Sequence, residues 1–207
     1  MSSSTHIGGL MPNVDAAIPT ELVCRLSVAQ FHQMLSTGIL TEDDPVELLD
    51  GWLVPKMMKN PSHRVVTELL RKALEEVLPA GWLVSSQDPI TLAASEPEPD
   101  LAVFRGQLRD YLHRHPGPQE VALVVEVAEA SLQRDQTTKK QIYAQAGIPV
   151  YWIVNVPENR IEVYSGPSGP GEPPDYQQRR DFAPGDDIPV MIEGRLVDEI
   201  QVREVLP

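Results

Sequence analysis

The period of apolar and polar positions changes several times along the chain, and each change marks an element. From Val121 to Val127 the sequence reads V-A-L-V-V-E-V, an apolar run broken only by Glu126. Such a run is expected of a central strand covered on both faces. After a turn, Q-T-T-K-K-Q-I-Y-A-Q-A-G takes helical character, with Gly147 as its stop and Pro149 barring continuation. I-P-V-Y-W-I-V then returns to strand. Strand, helix and strand at this spacing predict parallel pairing through a right-handed crossover. The helix start then lies beside the C-terminal end of the Glu126 strand, where open α/β sheets bind ligands.

The remaining patterns extend this core. Ser27 caps a short helix that stops at Gly38, and Val46–Val54 reads as a hairpin turning at Asp50-Gly51. Asn60-Pro61-Ser62 opens a longer helix to Leu78, whose apolar stripe comprises Val65, Val66, Leu69, Leu70, Ala73, Leu74 and Val77. Strands are expected at 81–86, 90–93 and 100–104, with a proline-rich stretch at 95–99 and a polar connection at 109–118. Ile161–Tyr164 should form a hairpin with the preceding strand. Residues 166–174 read as a mobile Pro/Gly loop, and 176–182 and 188–192 as antiparallel edge strands. The organisation expected is a flexible tail at 1–20 and a single α/β domain at 21–207.

Composition narrows the function classes. No apolar run approaches membrane-spanning length, and the first residues lack a basic segment followed by an apolar block. With Cys24 as the only cysteine, read as a buried apolar residue, the expected location is the cytoplasm. The formal net charge of −13 opposes nonspecific nucleic-acid binding. Its distribution softens that objection. Lys56, Lys59, Arg64, Arg71 and Lys72 face only Glu68 within 52–74, and Arg134, Lys139 and Lys140 face only Asp135 within 131–154. A local basic surface and ordinary solvated helix faces both fit this pattern.

Three acids stand at informative places. Glu47 lies near the start of the first hairpin, Asp100 heads a strand after Pro99, and Glu126 ends the central strand. A charge at Glu126 costs several kcal/mol unless paired, solvated or bound to a metal. If the Asp100 and Glu126 strands are neighbours, their carboxylates converge on one point. Oxygen ligands of that kind, completed by water, suit Mg²⁺ or Mn²⁺. Such an ion activates water and stabilises charge on a phosphate. Asp135, Lys139 and Tyr143, at i, i+4 and i+8, share one helix face, so the Lys139 ammonium can serve the same point. Plainer readings also fit. Asp100 suits a turn or cap, Glu126 a structural bridge to Arg134 or Lys139, and Asp135–Lys139 a surface pair. Tyr143 suits a packed aromatic, and His63 a polar helix start. His113 and His115 have a His-x-His spacing but lie in a polar loop.

These stretches together resemble the Uma-two family of restriction-endonuclease-like proteins, within the PD-(D/E)XK nuclease superfamily. The resemblance is carried by V-E-L-L-D-G-W-L-V (46–54), N-P-S-H (60–63), S-E-P-E-P-D-L-A-V-F-R-G (95–106), L-V-V-E-V-A (123–128), R-D-Q-T-T-K (134–139) and Y-A-Q-A-G-I-P-V-Y-W-I-V (143–154). It implies a restriction-endonuclease-like core, a mixed central sheet flanked by helices with additional antiparallel hairpins. It implies Asp100 and Glu126 as metal ligands for Mg²⁺ or Mn²⁺, and Glu47 as the early acid of the cluster. The superfamily lysine two residues after the Glu is absent, because Ala128 stands there; the resemblance moves that role to Lys139. His63, Arg134 and Tyr143 would line the substrate side. One departure is Glu129-Ala130, where the family more often has small polar or Asp-Ser residues before the serine matched by Ser131; an extra carboxylate there bears on metal or phosphate binding.

The expected activity is divalent-metal-dependent cleavage of phosphodiester bonds in nucleic acid, DNA first. Two alternatives stand beside it: a non-catalytic binding or assembly protein retaining the nuclease fold, and a phosphohydrolase acting on a small substrate. Restriction-like enzymes often pair to cut both strands, so a homodimer is expected. Tyr151-Trp152 or the late hairpin would supply its interface.

Overall fold

The computed structural model describes residues 23–41, 43–57, 59–171 and 173–206. The expected tail at 1–20 lies outside the described residues. In chain order the elements are α1 (Val28–Ser36), β1 (Val46–Leu49), β2 (Trp52–Pro55), α2 (Pro61–Val77), β3 (Trp82–Ser85), β4 (Leu101–Arg105) and β5 (Val121–Ala128). A helical segment follows, in three parts: α3 (Leu132–Arg134), a π turn (Asp135–Lys139) and α4 (Lys140–Gln145). The chain ends with β6 (Val150–Asn155), β7 (Arg160–Pro167), β8 (Tyr176–Phe182), β9 (Asp187–Ile192), β10 (Arg195–Gln201) and α5 (Val202–Val205).

Six strands form one mixed sheet in the order β3-β4-β5-β6-β7-β8. β5 and β6 are parallel, as the strand–helix–strand pattern requires, and the other pairs are antiparallel. The apolar run of β5 is explained by its central position, since all eight of its residues are buried. Alternation along the strands divides the core. Leu101, Val103, Leu123, Val125, Trp152 and Val154 pack with α2 and the C-terminal elements on one face. Ala102, Phe104, Val124, Tyr151 and Ile153 pack with α4 on the other.

Local chemistry sets the element ends. Ser27 and Gln30 form a capping box on α1, and the Asn60 side chain accepts from the His63 N–H to start α2. Asp50 and Gly51 both have positive φ, the conformation of a two-residue hairpin turn. Gly51 is also required for space, because a Cβ there would lie 2.5 Å from the Arg25 Cβ. Gly147 ends α4 in the left-handed conformation.

Several expectations are corrected. Residues 90–93 form no strand; their amides bond back to Pro97 and Ser95 in a tight fold of the proline-rich stretch. Residues 188–192 do form a strand, but it pairs with β10 in a separate two-stranded sheet that the sequence pattern did not reveal. Cys24 is exposed, not buried. Tyr151 and Trp152 are fully buried in β6, so they cannot supply a dimer interface. The stripe on α2 is narrower than expected: Val66, Leu70 and Leu74 are buried, while Val65 is 55% and Leu69 40% exposed. His63 and Thr67 share the inward face instead. Among the described residues no helix is long and apolar enough to cross a membrane.

The division of α2 gives a stability prediction. Leu70→Ala should cost about 2–5 kcal/mol, as other buried leucines do, and Val65→Ala no more than about 0.5 kcal/mol. Urea denaturation of the two variants checks this; equal losses would mean that the wrong face has been assigned to the core.

Candidate functional site

The strand register brings the key acids together. Leu101 pairs with Val125, which sets Asp100 beside the Glu126–Val127 step of β5. The Val127 N–H donates to Asp100 Oδ2 at 2.8 Å. Glu126 shares its side of β5 with Val124 and Ala128, so it points toward the α4 layer. Glu47 arrives from β1, and its Oε2 accepts from the Glu98 N–H at 3.3 Å. The S-E-P-E-P-D stretch therefore does two things. It runs beside β1 through the Glu96 N–H bond to the Leu48 carbonyl (2.7 Å), and it delivers Asp100 to the sheet.

Lys139 joins the acids. Its Nζ lies 3.0 Å from Glu126 Oε1 and 3.3 Å from Glu47 Oε2. The Tyr143 hydroxyl donates to Glu126 Oε1 at 2.7 Å. A second group surrounds Asp100: His63 Nε2 lies 3.0 Å from Oδ2, and Lys59 Nζ 3.2 Å from Oδ1. Arg134 donates to the Pro55 carbonyl at 2.8 Å and stands 3.9 Å from Glu47 Oε1. A cavity of about 100 Å³ opens between these groups. Glu47, Asp100, Glu126, Asp135 and Lys139 form its floor, and Lys56, Lys59 and Arg134 stand with Glu98 and Glu129 on its wall.

Of the residues singled out from the sequence, Glu47, His63, Asp100, Glu126, Arg134 and Lys139 all line this cavity. Tyr143 does not; it is fully buried and supports Glu126 from behind. Glu126 is bridged to Lys139 and not to Arg134. Asp135 and Lys139 are no surface pair, because both are buried and Lys139 turns to the other two acids. Glu129 lines the wall too, where it accepts from the Asn60 and Ser62 side chains at the start of α2. His113 and His115 lie outside the cavity.

Sequence reasoning overlooked Lys59 and Asp135 as members of the site. Lys59 appeared only in a charge count, and its proximity to Asp100 depends on how the segment before α2 folds. Asp135 carried a readable signal, its helical spacing from Lys139, but that spacing also describes an exposed pair.

Burial and charge oppose one another at each group. Burial disfavours the charged form of Asp100, but His63, Lys59 and the Val127 N–H outweigh it and hold the carboxyl below its ordinary range. Burial pushes Glu126 up to about 8, against the pull of Lys139. Burial also works against the Lys139 charge, yet Glu126 and Glu47 more than offset it and hold the ammonium above the ordinary lysine range. Lys139 faces two carboxylates, whereas Glu126 faces one ammonium. Asp135 is raised to about 6, chiefly by burial, with Lys139 opposing.

The donor set consists of hard oxygens, which suits Mg²⁺ or Mn²⁺ over softer metals. Among the described residues no three Asp, Glu, His or Cys side chains close around one point as a finished cage. A Mg²⁺ site commonly needs only one or two carboxylates with water completing the shell, so Asp100 and Glu126 fit such an ion.

The comparisons with known proteins agree with this geometry. A search of curated proteins gives no match. Among solved structures, the chain is similar to a crystal structure described as a "putative nuclease belonging to DUF820" from Anabaena variabilis ATCC 29413. The two share 15% identity at a TM-score of 0.63, over 87% of this chain and 97% of that one, which establishes a shared fold. The Uma2 family, described as "Putative restriction endonuclease", matches residues 28–197. That match takes in both cavity-forming layers and most of the sheet, and the chain belongs to the Uma2 family.

Proposed function

We propose that this chain is a divalent-metal-dependent endonuclease that hydrolyses phosphodiester bonds in nucleic acid, DNA first. The observation that carries the reading is the convergence of Asp100 and Glu126 from adjacent strands on one cavity, with Lys139 on the same floor. The family membership and the shared nuclease fold support it. Asp100 and Glu126 would hold Mg²⁺ or Mn²⁺. When bound, such an ion supplies activation of water at neutral pH and stabilisation of charge on the phosphate.

The chain's own residues divide the other work. Lys139 presents a fixed positive charge where negative charge grows on the scissile phosphate. His63 and Lys59 fix the orientation of Asp100, and Tyr143 that of Glu126. Lys56 and Arg134, on the wall, are placed to receive flanking phosphates of an acidic polymer. The lining as a whole remains acidic, and Lys56 is paired with Glu98 at 2.6 Å, so a phosphate can approach only once a divalent cation has offset the carboxylates. The reading places the protein in the cytoplasm, with its nucleic-acid substrate.

One observation favours the second reading, a non-catalytic protein that keeps the fold. Glu126 is already engaged by Lys139 and Tyr143 and so is partly withdrawn from an incoming cation.

Three outcomes are expected. Purified protein should nick supercoiled plasmid with Mg²⁺ or Mn²⁺ and not with chelator. Asp100→Ala should lower the rate at least about a hundredfold. Cleavage by Asp100→Ala at the wild-type rate would remove the proposed site, and a chain silent toward plasmid and single-stranded DNA would favour the second reading.

A pH dependence follows from Glu126. Its raised proton affinity means that a cation must displace a proton, so Mn²⁺ affinity should climb from about pH 6 to about pH 9 and level off above the Glu126 pKa. Metal-free stability has the opposite sign. A carboxyl held at about 8 when folded, against 4.5 when unfolded, binds more protons in the folded state across that window. Its contribution is full below the unfolded value and is lost as pH rises. Calorimetric titrations and melts across the range check both; a flat Mn²⁺ affinity would contradict the assignment of Glu126 as a ligand.

Cutting both strands of a duplex calls for two copies of the site. With Tyr151 and Trp152 buried, the β9–β10 hairpin, where Leu196 is exposed, is the interface we assign. Light scattering should show a dimer that Leu196→Asp dissociates; a strict monomer at high concentration would end this part of the proposal.

A further inference from the structure

Every acid on the cavity floor has partners except one. Asp100 has His63, Lys59 and the Val127 N–H. Glu126 has Lys139 and Tyr143, and Glu47 has Lys139 and the Glu98 N–H. Asp135 lines the same cavity and is 1% exposed; the Ser131 hydroxyl is near enough to favour its charged form, but neither carboxylate oxygen has a partner at hydrogen-bond distance among the described residues. A buried carboxylate without a donor is strongly disfavoured, because nothing replaces the water it has lost. Nor does a neutral Asp135 escape the difficulty, since its O–H would then lack an acceptor.

The backbone does not let this side chain leave. Asp135 opens the π turn, and its N–H bonds the Ser131 carbonyl at 3.0 Å. Its own carbonyl accepts from the buried Tyr151 hydroxyl at 3.2 Å, besides closing the turn with the Lys140 N–H. Such π turns are uncommon and are frequent at functional sites. Lys139, the ammonium whose charge opposes burial at Asp135, is committed to Glu47 and Glu126. The partner of Asp135 must therefore enter the cavity from outside.

We infer that Asp135 is a further metal-site residue, a carboxylate that accepts from the water shell of the divalent cation bound by Asp100 and Glu126, since no three acids close directly on one point among the described residues. Hard oxygens facing a small cavity with an acidic floor suit a hydrated Mg²⁺ or Mn²⁺ ion and nothing softer. The inference rests on the proposed metal-dependent reading. It adds a residue outside the strand pair and explains why the helix carries a π turn at that position.

A structural acid and a metal-site acid behave differently when neutralised. Asp135→Asn keeps the shape and removes the charge. Protein treated with chelator should be titrated with Mn²⁺ by calorimetry, and melted with and without Mn²⁺, as wild type, Asp135→Asn and Asp100→Asn. The expected result is Mn²⁺ binding about 10–100-fold weaker in Asp135→Asn. Its metal-free melting temperature should stay level with or above wild type, because an unsatisfied charge has gone, while the rise on adding Mn²⁺ shrinks. Affinity within about threefold of wild type, or a metal-free protein that melts lower, would overturn the inference and leave the Asp100–Glu126 site standing. Absence of Mn²⁺ binding in the wild type would overturn both.

Discussion

The Lys139 ammonium is the interaction on which the site depends. It is buried, and it touches carboxylates from two distant segments, Glu47 on the first hairpin and Glu126 on the central strand. Neither acid could be buried alone at acceptable cost, and the lysine could not be buried without them. One cation therefore fixes the N-terminal hairpin, the sheet centre and the helical segment relative to one another. The stability gained need not be large, since burying three charges consumes most of what their attraction supplies. What the contact supplies is position: three acids and an ammonium held around one cavity.

The packing around Ala128 bears on why the ammonium comes from the helical segment and not from the strand. At Ala128, two residues beyond Glu126, the side chain shares the Glu126 side of β5 and is buried in the α4 layer. A lysine there would bring its stem into space that Tyr143 and its neighbours fill. Supplied from the helical segment, the ammonium and the Tyr143 hydroxyl reach the same Glu126 oxygen. The buttress and the cation are then one helical face. The π turn that opens this face is fastened by Tyr151, whose hydroxyl reaches the Asp135 carbonyl from β6.

Much of this was legible in the sequence, where the physics is local. The apolar run of β5, the caps at Ser27 and Asn60, the Asp-Gly turn and the Gly147 stop all depend on neighbours a few residues away. The positions of Asp100 and Glu126 were legible too, because each marks a break in an apolar pattern. What was not legible depends on the third dimension. Val65 and Leu70 read alike as stripe residues, but which edge of the stripe meets the sheet is decided by packing. Tyr151 and Trp152 read as an aromatic edge until the layers packed on the two faces of the sheet cover them. Strand β10 escaped because R-L-V-D-E-I-Q alternates weakly and pairs outside the main sheet. Asp135 escaped for a different reason: the spacing that hides it as a surface pair is the spacing that buries it.

The two acids best explained by structure alone and the one left unexplained differ in a way that bears on chemistry. Glu47 and Glu126 share the Lys139 ammonium, and burial still raises the proton affinity of Glu126, so its charge is only partly compensated within the chain. Asp100 is held charged by donors at its margin, with Lys59 still partly exposed and free to exchange for another positive partner. Asp135 has no partner at hydrogen-bond distance on either oxygen among the described residues. A protein selected only for stability would lose such a group readily, since a neutral side chain of the same shape would relieve the buried charge. Within the proposed reading, a cation would gain most beside the acids least satisfied inside the chain, Asp100 and Asp135, and least beside the paired Glu47.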